Sequence, residues 1–262
     1  MIPYFIVCLA SLVAAGLTLY SGFGLGTLLM PVFALFFPVE VAVAATAMVH
    51  GANNLFKLAM VGRHADRSLV LGFGLPAIVA AFAGATALGY LAHLGEIASY
   101  AVGGRVAVIT PLKLSMGVLM LGFALCELAP GLRGLRFDRR YLVAGGVLSG
   151  FFGGFSGHQG ALRAAFLTRV GLSTEAFVGT SAVIGSMVDL ARLSVYAALL
   201  VGAGDRHLAA GQWPLILCGT LAAFAGVLIA KRFLRKITMQ AVQGLTGILL
   251  LGIGLALGAG LL

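Results

Sequence analysis

Residues 141–170 read YLVAGGVLSGFFGGFSGHQGALRAAFLTRV, a long apolar stretch with a cluster of glycines near its centre. A run of about 20 apolar residues is long enough to cross the hydrocarbon core of a bilayer as a helix. Each glycine weakens a helix interior by about 1 kcal/mol relative to alanine, so the cluster at residues 153–160 predicts a break within the segment. Interrupted apolar segments are typical of the binding sites of membrane transporters. We therefore predict a membrane fold with a broken segment.

The rest of the chain has the same apolar character. Of its 262 residues, 61% are hydrophobic and only 10% are charged, whereas about a quarter of the residues of a soluble domain are charged. Apolar segments lie near residues 4–37, 41–61, 69–92, 106–127, 141–170, 176–201, 211–230 and 238–261. The composition predicts an all-α integral membrane protein, with a single transmembrane domain in the lipid bilayer and no soluble domain.

Charged residues and cysteines exclude several other classes. The 17 Lys and Arg outnumber the 8 Asp and Glu, and they lie in short clusters between apolar segments. This pattern indicates orientation in a membrane rather than binding to nucleic acid, which needs a solvated basic face. Cys8, Cys126 and Cys218 lie far apart in apolar surroundings, so we expect neither disulfides nor a metal site. Residues 1–4 lack the basic residues of a signal peptide, so we expect the first segment to be retained.

The broken segment has a counterpart near the N-terminus, where glycines at residues 21–26 interrupt the first apolar segment. A shift of 135 residues superposes residues 21–57 on residues 156–192 without a gap. The shift pairs similar polar residues: Ser21 with Ser156, Thr46 with Ser181, Asn54 with Asp189, and Lys57 with Arg192. We therefore predict an N-terminal repeat, residues 1–130, and a C-terminal repeat, residues 131–262.

Loop charges predict how the two repeats are oriented. Eight simple crossings would divide the basic residues almost evenly between the two faces and leave no orientation signal. If each broken segment is a re-entrant hairpin, each repeat is a glycine-broken hairpin plus three transmembrane helices, and the repeats are inverted. One face then carries Arg63, Arg67, Arg133, Arg136, Arg139, Arg140, Arg169, Lys231, Arg232, Arg235 and Lys236, and the other carries Arg105, Lys113 and Arg206. We predict that the first face is cytoplasmic, in a multi-pass protein of the cell inner (cytoplasmic) membrane.

Polar residues within the apolar segments are the candidate functional residues, because an ionisable group there costs roughly 2.5–3.5 kcal/mol. In the second segment they recur at helical spacing and share one face, which the sixth segment repeats. A helix that restarts after a break also presents unpaired N–H groups to an anion. The predicted anion-binding residues are Lys57, Arg163, Arg192, Ser156, His158, Gln159, Asn53, Asn54, Ser21, Gly22, Gly24, Thr46 and Ser181. The predicted proton-coupling residues are His50, His158 and Asp189.

Several of these residues also have purely structural interpretations. Lys57 can extend its ammonium to the membrane interface instead of lining a site. Asp189 can neutralise Arg192 within one helix, and even then the pair can carry a coupling proton. His50 can be a hydrogen-bonded packing residue, and Thr46 and Ser181 can bond across helices.

Other functions are compatible with parts of the sequence. GFSG at residues 154–157 resembles the nucleophile motif of rhomboid intramembrane proteases, whose serine needs a histidine from a later helix. The histidines that follow are the adjacent His158 and the loop residue His207, so we do not expect an enzyme. A channel whose broken segments line a pore, a carboxylate carrier and a structural membrane protein remain alternatives.

Three motifs and their duplication carry a resemblance to a known family. SGFGLG at residues 21–26 precedes an apolar stretch, PVEVAVAAT follows at residues 38–46 before a short basic loop, and SGFFGG at residues 149–154 opens the second copy. In these features the chain resembles the sulfite exporter TauE/SafE family along nearly its whole length. The resemblance implies a secondary transporter of sulfite, organosulfonates or related small anions, which many members export. Our own interpretation is an alternating-access carrier of such anions, for example sulfoacetate, with protons or another coupling ion and no cofactor, and with a homodimer as an alternative to a monomer.

Overall fold

The computed structural model describes residues 1–21, 24–132, 136–202, 212–233 and 239–262, and within these ranges the chain is mostly helical. The helices are α1 (Ile2–Ser21), α2 (Leu25–Ala34), α3 (Val39–Val61), α4 (Arg67–Ala92), α5 (Pro111–Leu128), α6 (Leu142–Ser156), α7 (Gln159–Leu167), α8 (Thr174–Gly202), α9 (Trp213–Phe233) and α10 (Met239–Gly258). Short 3-10 turns cover Gly62–His64, Arg139–Tyr141 and Thr168–Val170, and a π turn lies within α4 at Val70–Gly74. Outside the described residues lie Gly22, Arg133, Arg206, His207, Arg235 and Lys236.

The helices coincide with the predicted apolar segments. Helices α1 and α2 share the first segment, and α6 and α7 share the fifth. Among the described residues, the stretches long and apolar enough to cross a membrane are Ile2–Leu19, Arg67–Ala92, Pro111–Leu128, Thr174–Leu199 and Trp213–Arg232. Helix α3 is also long, but it carries the polar face that lines the centre of the bundle. The prediction of a multi-pass helical membrane protein is confirmed.

Local sequence explains where several helices begin. Glu40 and Glu175 lie in the first turns of α3 and α8, where the helix dipole favours an acid. The Asp66 carboxylate and the Thr110 hydroxyl each accept a hydrogen bond from a backbone N–H of the turn that follows. Pro111 then occupies the first turn of α5, where its missing N–H has no cost.

The fourth predicted segment, near residues 106–127, begins as a strand rather than as a helix. Two antiparallel strands follow α4: β1 (Ala98–Val102) and β2 (Arg105–Ile109). Gly103 and Gly104 connect them with φ angles of 57° and 76°. Positive φ at both positions gives the two-residue turn that suits a hairpin. Helix α5 therefore starts only at Pro111.

Helices α4 and α6 pack in parallel along a seam of glycines. Gly146, Gly150 and Gly154 are spaced by four residues and so share one face of α6. A Cβ atom on Gly150 would overlap the carbonyl group of Ala77, and one on Gly154 would overlap that of Ala81. Small residues at this spacing let two transmembrane helices approach closely. A second parallel pair is formed by α1 and α9, because Gly219 lies beside Val7 and Gly226 lies beside Leu12.

Two antiparallel pairs complete the bundle. Helix α3 packs along α8, with Gly51 beside Asp189 and Val61 beside Gly179. Helix α5 packs along α10, with Gly117 close to the C-terminal end of α10. Buried apolar side chains fill the space between the pairs.

Helix α6 ends about halfway along α4, because Gly154 lies opposite Ala81 near the middle of that helix. Helix α7 then runs back, so that Phe166 near its end packs against Gly145 near the start of α6. The break is narrower than the glycine cluster at residues 153–160 predicts, because the helix continues through Gly154 to close the seam. The two halves of the broken segment thus enter and leave at the same end of the bundle.

Candidate functional site

The break between α6 and α7 is a tight reversal inside the bundle. Helix α6 ends at Ser156, and Gly157 adopts a left-handed φ of 83°. Glycine takes this conformation without a steric cost, which makes it the usual residue after a helix end. The Gly157 N–H donates to the Gly153 carbonyl oxygen at 3.1 Å, and α7 begins at Gln159. All these residues are buried.

The first glycine break meets the second one. Gly24 also has a left-handed φ, 111°, and α2 begins directly after it. A Cβ atom on Gly26 would lie 3.0 Å from the Gly157 carbonyl oxygen and 3.5 Å from Cδ2 of His50. The start of α2 and the end of α6 therefore touch beside the middle of α3. Of the other predicted residues here, Ser21 is the last residue of α1.

Asp189 is the centre of a buried hydrogen-bond network. Its Oδ1 accepts hydrogen bonds from Arg192 Nη2 at 2.7 Å and Nε at 3.0 Å, and from Gln159 Nε2 at 3.2 Å. Its Oδ2 lies 2.7 Å from His50 Nδ1 and accepts a hydrogen bond from Asn54 Nδ2 at 2.9 Å. Asp189 and Arg192 are 1% and 0% exposed, so they form a buried ion pair. A carboxylate with this many donors is satisfied as an anion.

Arg163 and Lys57 extend the cluster toward the end of the bundle where α8 begins. Arg163 is 2% exposed and its Nη1 donates to Gln159 Oε1 at 3.0 Å. Lys57 is 6% exposed and its charge lies near that of Arg163. It is buried within the bundle rather than extended to the surface. Gly185 leaves room for the side chains of Asn54 and Arg163, since a Cβ there would lie 2.6 Å from Asn54 Nδ2 and 3.4 Å from Arg163 Nη1.

His158 and Ser156 lie on the side of the break that faces α5. The His158 ring stacks on Phe123 with ring centres 5.1 Å apart, and its Nδ1 lies 3.0 Å from Ser156 Oγ. The Ser156 hydroxyl donates to the Phe152 carbonyl oxygen of its own helix at 3.0 Å. His158 Nε2 is buried and has no hydrogen-bond partner among the described residues.

The remaining predicted polar residues divide into two kinds. Thr46 is satisfied within its own helix, because its hydroxyl donates to the Ala42 carbonyl oxygen at 2.7 Å. Asn53 is fully buried, and neither atom of its amide has a hydrogen-bond partner within the described ranges. The same holds for the hydroxyl of Ser181. Asn53 and Ser181 therefore keep hydrogen-bonding capacity for a ligand.

Two contributors were not predicted from the sequence. The Tyr196 hydroxyl donates to the Gly154 carbonyl oxygen, and the Ser149 hydroxyl donates to the Gln159 carbonyl oxygen at 2.9 Å. Tyr196 follows Arg192 by four residues, so the helical spacing used for α8 extends to it. Ser149 gives no comparable signal, because its partner lies across the break.

The arrangement as a whole suits an anion. Three cationic side chains and one carboxylate are buried together, with amide and hydroxyl donors around them. In the part of the chain that the structure describes, no group of three or more His, Cys, Asp or Glu could hold a metal ion. Positive charge with N–H and O–H donors, away from water, is the environment in which proteins bind oxyanions.

Comparison with known proteins gives one family. The model of the sulfite exporter TauE/SafE family matches residues 7–257. No curated protein and no solved structure matches the chain significantly. The match covers nearly the whole chain and confirms the resemblance read from the glycine motifs. The chain therefore belongs to the sulfite exporter TauE/SafE family, a family of membrane transporters rather than enzymes.

Proposed function

We propose that the chain is a secondary active transporter of small sulfur-containing anions, sulfite and sulfonates such as sulfoacetate, and that it exports them with coupling to protons. The observation that carries this function is the environment of Lys57. Its ammonium is buried, has no ion pair among the described residues, and lies near the Arg163 guanidinium. Two neighbouring buried cations repel each other, and an anion between them removes that repulsion.

The groups around these cations match the needs of a tetrahedral or pyramidal oxyanion. Arg163 presents a planar fork to two oxygens, whereas Lys57 acts as a point charge. Asn53 and Ser181 supply donors that have no partner within the described ranges. The family name supplies sulfite as the class of substrate. We propose Lys57, Arg163, Asn53 and Ser181 as the first residues to contact the anion.

We propose that residues 1–130 and 131–262 are inverted repeats, each with a re-entrant hairpin. The helix pairs support this. A twofold axis in the membrane plane requires that a pair of different helices occurs twice with the same relative direction, and that two corresponding helices that touch run antiparallel. Helix α1 with α9 corresponds to α6 with α4, and both pairs are parallel. The pairs α3 with α8 and α5 with α10 each join corresponding helices and are antiparallel. Alternating access would then rock these elements around the central site.

We propose that the end of the bundle where α6 begins and α7 ends faces the cytoplasm, in the inner membrane. Several basic residues of the described ranges gather there. The Arg139 guanidinium donates to Ser68 at 3.3 Å, and Arg169 pairs with Asp138 at 2.7 Å. Lys113 lies at the other end, near the start of α3 and the end of α4. Excess Lys and Arg on one side marks the cytoplasmic face.

A carboxylate carrier is the second candidate, and one observation favours it. The donors of Arg192, Gln159, His50 and Asn54 already bind a carboxylate, that of Asp189. A carboxylate substrate would therefore find compatible geometry in the same cluster. Channel conduction is the other alternative, and counterflow separates it from transport by a carrier. The homodimer stays a prediction.

The test is counterflow of radiolabelled sulfite into proteoliposomes that contain the purified full chain. We expect saturable counterflow that unlabelled sulfite and sulfoacetate stimulate from inside and that acetate stimulates poorly. Lys57→Met should reduce the flux at least tenfold, because about 1.4 kcal/mol of lost attraction already gives that factor. Lys57→Arg should keep part of it, because the charge remains.

The matched control is Arg169→Met, which removes one charge from an exposed ion pair outside the site. It should transport like the wild type, because exposed pairs contribute little. Equal flux in Lys57→Met and Arg169→Met would contradict the proposed anion site. Stimulation by acetate rather than by sulfite would favour the carboxylate carrier, and flux without counterflow would indicate a channel.

A further inference from the structure

The two halves of the site differ in charge at positions that correspond in sequence. The shift of 135 residues places Lys57 on Arg192 and Asn54 on Asp189. In α3 a neutral amide therefore lies three residues before the cation, whereas in α8 a carboxylate lies there. The amide and the carboxylate also touch each other, with Asn54 Nδ2 donating to Asp189 Oδ2 at 2.9 Å.

Because of this difference, one cation has a carboxylate as its partner, and the other has none among the described residues. Arg192 gives two hydrogen bonds to Asp189 Oδ1, and both side chains are buried. Lys57 has no ion pair within the described ranges. The half of the site around Lys57 is therefore available to an anion, whereas the half around Arg192 is already occupied by the carboxylate of Asp189.

Gln159 joins the two halves through its amide. Its Nε2 donates to Asp189 Oδ1 at 3.2 Å, and its Oε1 accepts from Arg163 Nη1 at 3.0 Å. An anion that binds at Arg163 therefore lies one side chain away from the Asp189 carboxylate. Two negative charges at that distance repel each other strongly in a buried site.

We propose that the Asp189 carboxylate occupies the anion-binding position beside Arg192, and that it releases this position to the transported anion by taking up one proton. This inference rests on the proposed function and specifies its coupling. The carboxylate becomes a neutral carboxylic acid, the Arg192 fork turns to the transported anion, and one proton moves in the same direction as each anion. His50 Nδ1, 2.7 Å from Asp189 Oδ2, lies in position to pass the proton.

The charges around Asp189 couple the binding of the proton to the binding of the anion. The titratable or charged groups nearest to it are His50 on α3, Arg163 on α7, and Arg192 and Tyr196 on α8, with Lys57 and His158 beyond them. A proton alone would add positive charge to a cluster that already has an excess of it. An anion alone would add negative charge beside a carboxylate. When the proton and the anion bind together, the net charge of the cluster stays the same and the anion no longer faces a carboxylate, which is the condition for coupling.

The experiment is calorimetric titration of the full chain in nanodiscs with methanesulfonate, whose charge is constant near neutral pH. Buffers with different ionisation enthalpies report the protons taken up. We expect about one proton per anion, and an affinity that weakens about tenfold for each unit of rising pH. Arg169→Met, outside the site, should bind and take up protons like the wild type. His50→Gln should keep the number of protons taken up at equilibrium, because a relay residue sets only the rate, whereas Asp189→Asn should lose the uptake and bind with little dependence on pH.

Binding by the wild type without proton uptake overturns the inference. So does uptake that disappears in His50→Gln and persists in Asp189→Asn. The wild-type and histidine measurements decide the question even if Asp189→Asn fails to fold because Arg192 loses its partner. Sulfite counterflow without proton uptake removes this inference alone, whereas absence of counterflow in the wild type removes the proposed function as well.

Discussion

Gly117→Ala should destabilise the fold although it adds only one methyl group. The new Cβ would lie 2.7 Å from the Gly254 carbonyl oxygen and 2.7 Å from the Gly258 nitrogen, about 0.7 Å short of ordinary contact. Both neighbours are backbone atoms of α10, so no side chain can turn aside and the helices must separate. Overpacking of this kind costs typically about 1–3 kcal/mol. Alanine recovers about 0.5–1 kcal/mol of helix propensity, so the net loss of stability is at most about 2.5 kcal/mol.

Gly122→Ala on the same helix is the matched control, because a Cβ there meets nothing within 4 Å. It should gain the same propensity term without the overpacking, so the two variants should differ by the overpacking cost, about 1–3 kcal/mol. At about 2–4 °C per kcal/mol, their apparent melting temperatures should differ by about 2–12 °C. Thermal unfolding of the two variants in the same detergent, at one heating rate, measures this difference. Equal melting temperatures would show that α5 and α10 do not meet through glycine backbone.

Two further predictions concern the break and the topology. Gly157→Ala should lower the free energy of unfolding by about 1–2 kcal/mol, because residue 157 has a left-handed backbone conformation. It should also weaken methanesulfonate binding, because the new methyl would lie 3.0 Å from Arg192 Nη1. Calorimetry that gave the wild-type affinity would contradict the effect on binding. His64→Cys and Ser99→Cys should react with an impermeant maleimide from opposite faces of the membrane, and labelling of both from one face would rule out the proposed inverted repeats.

Helical spacing was enough to find most of the polar cluster. The face of α8 that carries Ser181, Asp189 and Arg192 follows from the spacing of these residues, and the structure turns it toward α3. The polar face of α3 follows in the same way, and it brings His50 to Asp189. These contacts could be anticipated because a side chain in a transmembrane helix can turn either to lipid or to the bundle, and lipid excludes charge.

Contacts between distant segments could not be read from the sequence. The spacing of α8 leaves open whether Asp189 binds Arg192, His50 or a ligand, and the structure gives it the first two. The burial of Lys57 depends on how α3 and α8 are placed along each other. The hairpin at residues 98–109 was missed because residues 106–109 of its second strand were counted as part of a membrane segment. The GG turn, with Val102 before it and Val106 shortly after it, was the available signal.

Glycine has two separate roles in this fold, and together they explain how the site tolerates its charges. At Gly24 and Gly157 it allows the left-handed backbone of the breaks. In the α4–α6 seam, Gly150 and Gly154 let two backbones touch, and this fixes the depth at which α6 ends. Removing an ion from water costs several kcal/mol, and among the residues that the structure describes Lys57 has no ion pair to offset that cost. The stability that offsets the cost must then come from packing outside the site, where the glycine seams bring the helices together. The glycines that indicate broken helices in the sequence thus also stabilise the bundle around the buried charge of Lys57.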